Sequence, residues 1–166
     1  MAGFVPIYAA SAAVFGANDL DGLASSGTLV AGRASAVITN ASNDVLLTGR
    51  FKANNTAPTA GKIEVWVGGV LNDTPTYPDV FDGTSSAKTV TSVDIKYAIL
   101  KLAATIKTDA TANRIYEFAP VSLAELFGGV PPKQWWVFVT HNMVQALNTT
   151  TGNGGQCWYQ TVTFPA

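Results

Sequence analysis

Lys62-Ile63-Glu64-Val65-Trp66-Val67 (KIEVWV) alternates between two kinds of side chain. A strand sends successive side chains to opposite faces, so Ile63, Val65 and Val67 share one face, and Lys62, Glu64 and Trp66 share the other. The aliphatic face predicts a core. The second face, with two charges in three residues, predicts an outer surface on which Trp66 stands as an anchor.

Outward from this strand, clusters of Gly, Asn, Asp and Pro interrupt the chain about every ten to fifteen residues, the spacing of an antiparallel β domain. Between them lie short runs rich in Val, Ile, Thr and aromatic residues, which suit a pleated, half-buried surface. The pattern predicts strands near Val5 to Ala9, Thr28 to Thr39, Val45 to Ala53, Ile99 to Lys107, Arg114 to Phe118, Gln134 to His141 and Trp158 to Phe164. Two hairpins are expected, one turning at Asn40 to Asp44 and one at Thr108 to Asn113. Gln134 to His141 (QWWVFVTH) is apolar on both faces.

Ile95, Ile99, Leu102 and Ile106 match a helical stripe, whereas Leu100, Leu102, Ala104 and Ile106 match a strand; the turn-like TDATANR that follows favours the strand. One short helix is predicted at Ser122, with Ser122 as N-cap, Glu125 three residues on, and a stop at Gly128-Gly129 before Pro131-Pro132. The expected fold is therefore all-β: an antiparallel, jelly-roll-like two-sheet sandwich of about eight strands with one short connecting helix. Residues 1–27 are expected to form an N-terminal arm or a first strand plus loop, and residues 28–166 the sandwich domain.

At 166 residues the chain is long enough for one domain that needs no disulfide or metal staple. Charged residues make up 13%, about half the usual share, so part of the surface must be small, polar or apolar. That composition suits a protein partly covered by neighbours. Ten Lys and Arg against eleven Asp and Glu, with no basic run, argue against a nucleic-acid partner. No apolar run approaches the roughly 20 residues of a membrane span, and the absence of Lys or Arg before Arg33 argues against a signal peptide.

Catalytic chemistry finds little support. His141 is the single histidine and Cys157 the single cysteine; neither a nucleophile elbow nor a catalytic-cysteine context accompanies them. Asp73, Asp79 and Asp82 share one loop, but in the spacing of turn residues that bond their own backbone rather than of a calcium loop. No catalytic residue, cofactor or metal site is predicted. Trp66, Trp135, Trp136, Trp158 and Tyr159 would suit either a sugar-stacking platform or buried and interfacial roles, and the low charge favours the latter. Trp66, Phe4, Ile7 and Tyr8 are the interface candidates.

At residues 61–84 (GKIEVWVGGVLNDTPTYPDVFDGT) and 113–142 (NRIYEFAPVSLAELFGGVPPKQWWVFVTHN) the chain resembles small virion proteins of tailed phages, some of them capsid decoration (cement) proteins with jelly-roll folds. The resemblance implies a structural role on the capsid exterior, with the major capsid protein as partner and a homotrimer as the assembled form. It carries no catalytic signature. A receptor- or carbohydrate-binding virion module, in a tail or head fibre, is the alternative.

Overall fold

The computed structural model describes residues 5–72 and 74–164. Among them are eleven strands and two short helices: β1 (Ile7–Tyr8), β2 (Ala12–Ala13), β3 (Ala31–Ala34), β4 (Ile38–Thr39), β5 (Asp44–Lys52), β6 (Gly61–Val70), β7 (Ser86–Thr89), α1 (Val93–Ile99), β8 (Lys101–Thr108), β9 (Ile115–Ser122), α2 (Leu123–Leu126), β10 (Gln134–His141) and β11 (Gly155–Thr163). They build two antiparallel sheets. One runs β1-β11-β5-β9, with β2 also on β11; the other runs β7-β3-β10-β6-β8, with β4 also on β10.

Taken in chain order, the eight principal strands are β1 with β2, then β3, β5, β6, β8, β9, β10 and β11. One sheet then reads first, eighth, third, sixth, and the other second, seventh, fourth, fifth. This is the double Greek-key order of a jelly roll. Consecutive strands therefore tend to switch sheets, and neither expected hairpin forms. β4 and β5 flank the turn at Asn40 but lie in different sheets, as do β8 and β9 around Thr108 to Asn113.

The inter-sheet core follows the alternation of the strands. Ile63, Val65 and Val67 of β6 meet Val45, Leu47 and Phe51 of β5, and Trp135, Val137 and Val139 of β10 extend the layer. Residues 5–27 contribute as well: β1 and β2 pair with β11, while Val14, Phe15 and Leu20 are buried in this core.

A second core lies on the other side of β6 and β10. Trp66, Trp136 and Phe138 point away from the first core and pack under Phe81, Val90 and Leu100, with Ile95 and Ile99 of α1 at the margin. β10 is thus buried on both faces, as its run of apolar residues requires. Close approach sets one residue in this layer: a Cβ on Gly68 would lie 2.1 Å from Cζ2 of Trp136, its cross-strand neighbour.

This second layer corrects three expectations. Trp66 is 1% exposed, so it is no surface anchor. Residues 93–99 are helical: the Ser92 hydroxyl accepts from the Ile95 amide and starts α1, and Leu100 returns to an extended conformation before β8. Leu102, which the strand pattern groups with Leu100, Ala104 and Ile106 on one face, is 40% exposed on the edge strand β8, beyond an irregularity between Val65 and Trp66 of the β6 partner. The short helix at Ser122 forms as the sequence predicts, with the Ser122 hydroxyl accepting from the Glu125 amide.

Candidate functional site

Trp66 belongs to a buried polar knot. Its Nε1 donates to Glu64 Oε2 at 3.0 Å, and Glu64 also binds Lys96 Nζ at 2.9 Å and Lys62 Nζ at 2.6 Å. Lys96 donates onward to the Leu29 carbonyl at 2.7 Å and lies 4.6 Å from the centre of the Trp66 ring. Burial pushes the Glu64 carboxyl upward, but the hydrogen bonds from Lys62, Lys96 and Trp66 outweigh it and hold the group below its ordinary value. Every strong donor is occupied by a partner within the chain. The knot fastens α1 to the sheet, with Glu64, Lys96 and Trp66 buried and Lys62 alone reaching solvent.

The other titratable candidates are likewise engaged in structure. His141 is buried; its Nε2 donates to the Leu23 carbonyl at 2.8 Å, and Nδ1 faces the Met143 amide at 3.4 Å. Burial pushes the imidazole below its ordinary value, so the ring is neutral. Cys157 is buried in the inter-sheet core, and desolvation pushes its thiol far up, away from nucleophilic reactivity. Asp79 accepts from the hydroxyl and amide of Thr91, and Asp82 from the hydroxyl and amide of Thr84 and from Lys88. Asp73 lies outside the described residues. Among the described residues, no three His, Cys, Asp or Glu side chains gather in a way that would hold a metal ion.

The interface candidates separate. Phe4 lies outside the described residues, and Trp66 is buried for the reason given above. Ile7 and Tyr8 stand at the open edge of the β1-β11-β5-β9 sheet, 59% and 54% exposed. Ile7 sits opposite Thr163 and Tyr8 opposite Val162. Val5 and Phe164, the neighbours on the two chain segments, are exposed as well. Four large apolar side chains thus lie along one edge, with Ile7 and Tyr8 on its opposite faces, beside an edge backbone free of strand partners among the described residues. Natural edges are usually blunted by charge, a bulge or a cover. Here the described strand Ile7–Tyr8 carries no charge, and only its two-residue length and the preceding Pro6 blunt the edge.

Of the five aromatic residues singled out in the sequence, Trp66, Trp135 and Trp136 are buried, and Tyr159 packs edge-on against Trp135 at 5.2 Å. Trp158 differs. It lies on the outer face of the sheet, partly exposed, with the Arg50 guanidinium 5.9 Å from its ring centre, in an open groove of about 440 Å³. Sequence alternation marks this position, because Trp158 shares a face with Gln156 and Gln160 rather than with Cys157 and Tyr159. No family model, curated protein or solved structure matches this chain.

Proposed function

We propose that this chain is a structural virion protein, a capsid decoration or cement protein. It binds the outside of an icosahedral phage shell, contacts the major capsid protein as a homotrimer, and stabilises the shell. The jelly roll by itself argues for no particular role, since the architecture hosts many unrelated functions. The observation that carries the reading is the open β1 edge with Val5, Ile7, Tyr8 and Phe164 exposed together. An apolar strand edge of this kind is a template for another chain.

Composition supports the same reading. With 13% charged residues the surface has few groups to keep it apart from neighbours, and association at the edge would hide apolar area. Closed point symmetry is the default for homo-oligomers. The trimer and the shell come from the likeness of residues 61–84 and 113–142 to phage virion proteins. His141, Asp79 and Asp82 are held in structural hydrogen bonds and Cys157 is buried, which fits a binding role.

Stripped particles provide the test. Shells lacking the protein are expected to assemble and to break at a lower temperature than complete particles, and added protein is expected to restore them. A chain that stays monomeric at high concentration, fails to bind stripped shells and copurifies with tail fibres instead would replace this reading with a receptor-binding module.

A further inference from the structure

The groove beside Trp158 lies on the outer face of the β1-β11-β5-β9 sheet, at the opposite end of β11 from the apolar edge. Trp158 and Gln156 are four and six residues from Val162 along that strand, which places the groove about 13 to 20 Å from the edge. A ligand in the groove would therefore leave the edge free.

Its floor and walls are built from few residues. Arg50 and Lys52 of β5 and Trp158 of β11 project from the sheet, and Asn153 and Gly152 close one side. The lining contains two cations and no carboxylate. Glu117 of β9 is the register partner of Arg50, yet it makes no ion pair with it and does not line the groove. Arg50 is thus an exposed guanidinium over an indole ring, without an acidic partner of its own among the described residues.

The wall is held in place before any ligand arrives. Asp21 accepts from the amides of Gly152 and Gly154, both at 2.7 Å, and so clamps the loop that precedes β11. A Cβ on Gly154 would lie 2.2 Å from the Leu20 carbonyl oxygen, so the loop seats against the N-terminal segment only with glycine there. Gln156 is fixed at both ends of its amide: Nε2 donates to the Phe15 carbonyl at 2.9 Å, and Oε1 accepts from the Phe15 amide at 3.0 Å. A site ordered in this way spends little free energy on rearrangement when it binds.

We propose that this groove binds an acidic saccharide, a glycan whose pyranose ring carries a carboxylate. An indole face accepts the apolar C–H face of a pyranose, and Arg50, whose guanidinium lies over the Trp158 ring 5.9 Å from its centre, must swing off that face as the sugar enters and is then placed to pair with a carboxylate on it, a strong charge-assisted contact. Lys52 adds a second cation, and Asn153 offers an amide to hydroxyl groups. A volume of about 440 Å³ is of the size that holds one or two sugar rings. Single-stranded nucleic acid would also use aromatic and cationic groups, but it needs a basic track along its backbone. This groove has two cations on a chain of net charge -1. The inference does not depend on the capsid reading, because it concerns the isolated protein.

Trp158 supplies the readout. The other three tryptophans are buried, so acrylamide quenching of native fluorescence reports chiefly on this indole. Titration of the full chain with oligogalacturonate is expected to protect the fluorescence, with affinity at least about tenfold above that for maltotriose of equal length. Trp158→Ala is expected to abolish binding when followed by calorimetry. Arg50→Gln is expected to remove the preference for the acidic sugar while leaving the melting temperature close to the parent's, since the exposed Arg50 side chain makes no hydrogen bond or ion pair among the described residues, only the cation–π contact with Trp158. Equal binding of the neutral sugar, no calorimetric binding of oligogalacturonate up to about 10 mM, or tighter binding of an oligothymidylate would each overturn the proposal.

Discussion

Lys96 and Glu64, 32 positions apart, form a buried ion pair: Nζ lies 2.9 Å from Oε2, and the two side chains are 2% and 3% exposed. Removing one member leaves a charge desolvated and short of a partner, which costs about 3–5 kcal/mol. Lys96→Met and Glu64→Gln are each expected to lose stability on that scale in urea denaturation. Replacing both, as Glu64→Gln with Lys96→Met, is expected to lose less than the sum of the single changes. Strict additivity would show that the pair is not coupled.

The same carboxyl sets an acid limit. Burial works against the Glu64 charge, but hydrogen bonds from Lys62, Lys96 and Trp66 hold its folded value below the ordinary 4.5. As pH falls, the unfolded chain therefore takes up its proton first. The stabilisation is complete above about pH 4.5 and is lost as pH drops through the lower folded value. Denaturation midpoints of the parent and of Glu64→Gln should converge in that range, and a gap that stays constant to lower pH would contradict the assignment.

His141 acts in a separate, higher window. Burial depresses its folded value below the ordinary 6.5, so just below that pH the unfolded chain carries a proton that the native chain does not. Stability should decline as pH falls from 6.5 toward the folded value, and above 6.5 the residue contributes no slope. His141→Gln is expected to flatten that decline, at the cost of a lower midpoint throughout from the disturbed Leu23 and Met143 contacts. An unchanged slope as pH falls below 6.5 would mean that the ring is not the titrating group.

Cys157 gives a probe of the core. Its thiol is buried between the sheets and pushed up by desolvation, so an aromatic disulfide reagent should fail to react with the native chain and should titrate one thiol in denaturant. Under native conditions the labelling rate then measures opening of β11. Rapid native labelling would show that this strand does not seal the core.

Much of the sandwich was legible because strand chemistry is local. The alternation of Ile63, Val65 and Val67 announces an inner face, and the Ser122-to-Glu125 spacing announces α2. The second layer was not legible, for a physical reason: Lys62 and Glu64 read as solvent-facing charges, and what neutralises Glu64 in the interior is Lys96 from a distant segment. The signal that could have revealed the layer was QWWVFVTH, since a strand apolar on both faces must be covered on both. Around Ile95 to Ile106 the helical and strand periodicities were both real. They belong to adjoining elements, α1 and β8, that meet at Leu100. The hairpins failed because turn chemistry marks where a chain reverses, not which sheet it enters next. Trp158 was visible as an aromatic in an alternating strand, but Arg50 and the Asp21 clamp reach it from far along the chain.

The exposed edge makes the functional reading open to direct attack. Ile7 and Tyr8 are 59% and 54% exposed, so their side chains contribute little to either core, while their backbone groups hold β1 on β11. The double change Ile7→Lys with Tyr8→Asp keeps that backbone pairing and should alter stability by no more than about 1 kcal/mol, the scale of two surface substitutions. It places charges of both signs on a strand edge that now has none, and desolvating them against a partner would oppose association. The variant is expected to melt close to the parent, to remain monomeric where the parent associates, and to fail to restore the heat resistance of stripped shells. Arg50→Gln, about 20 Å away along the sheet, should retain association and shell reinforcement and so serve as the control. If the double variant still assembles and still protects the shell, β1 is not the contact, and the docking surface must be sought on another face of the sandwich.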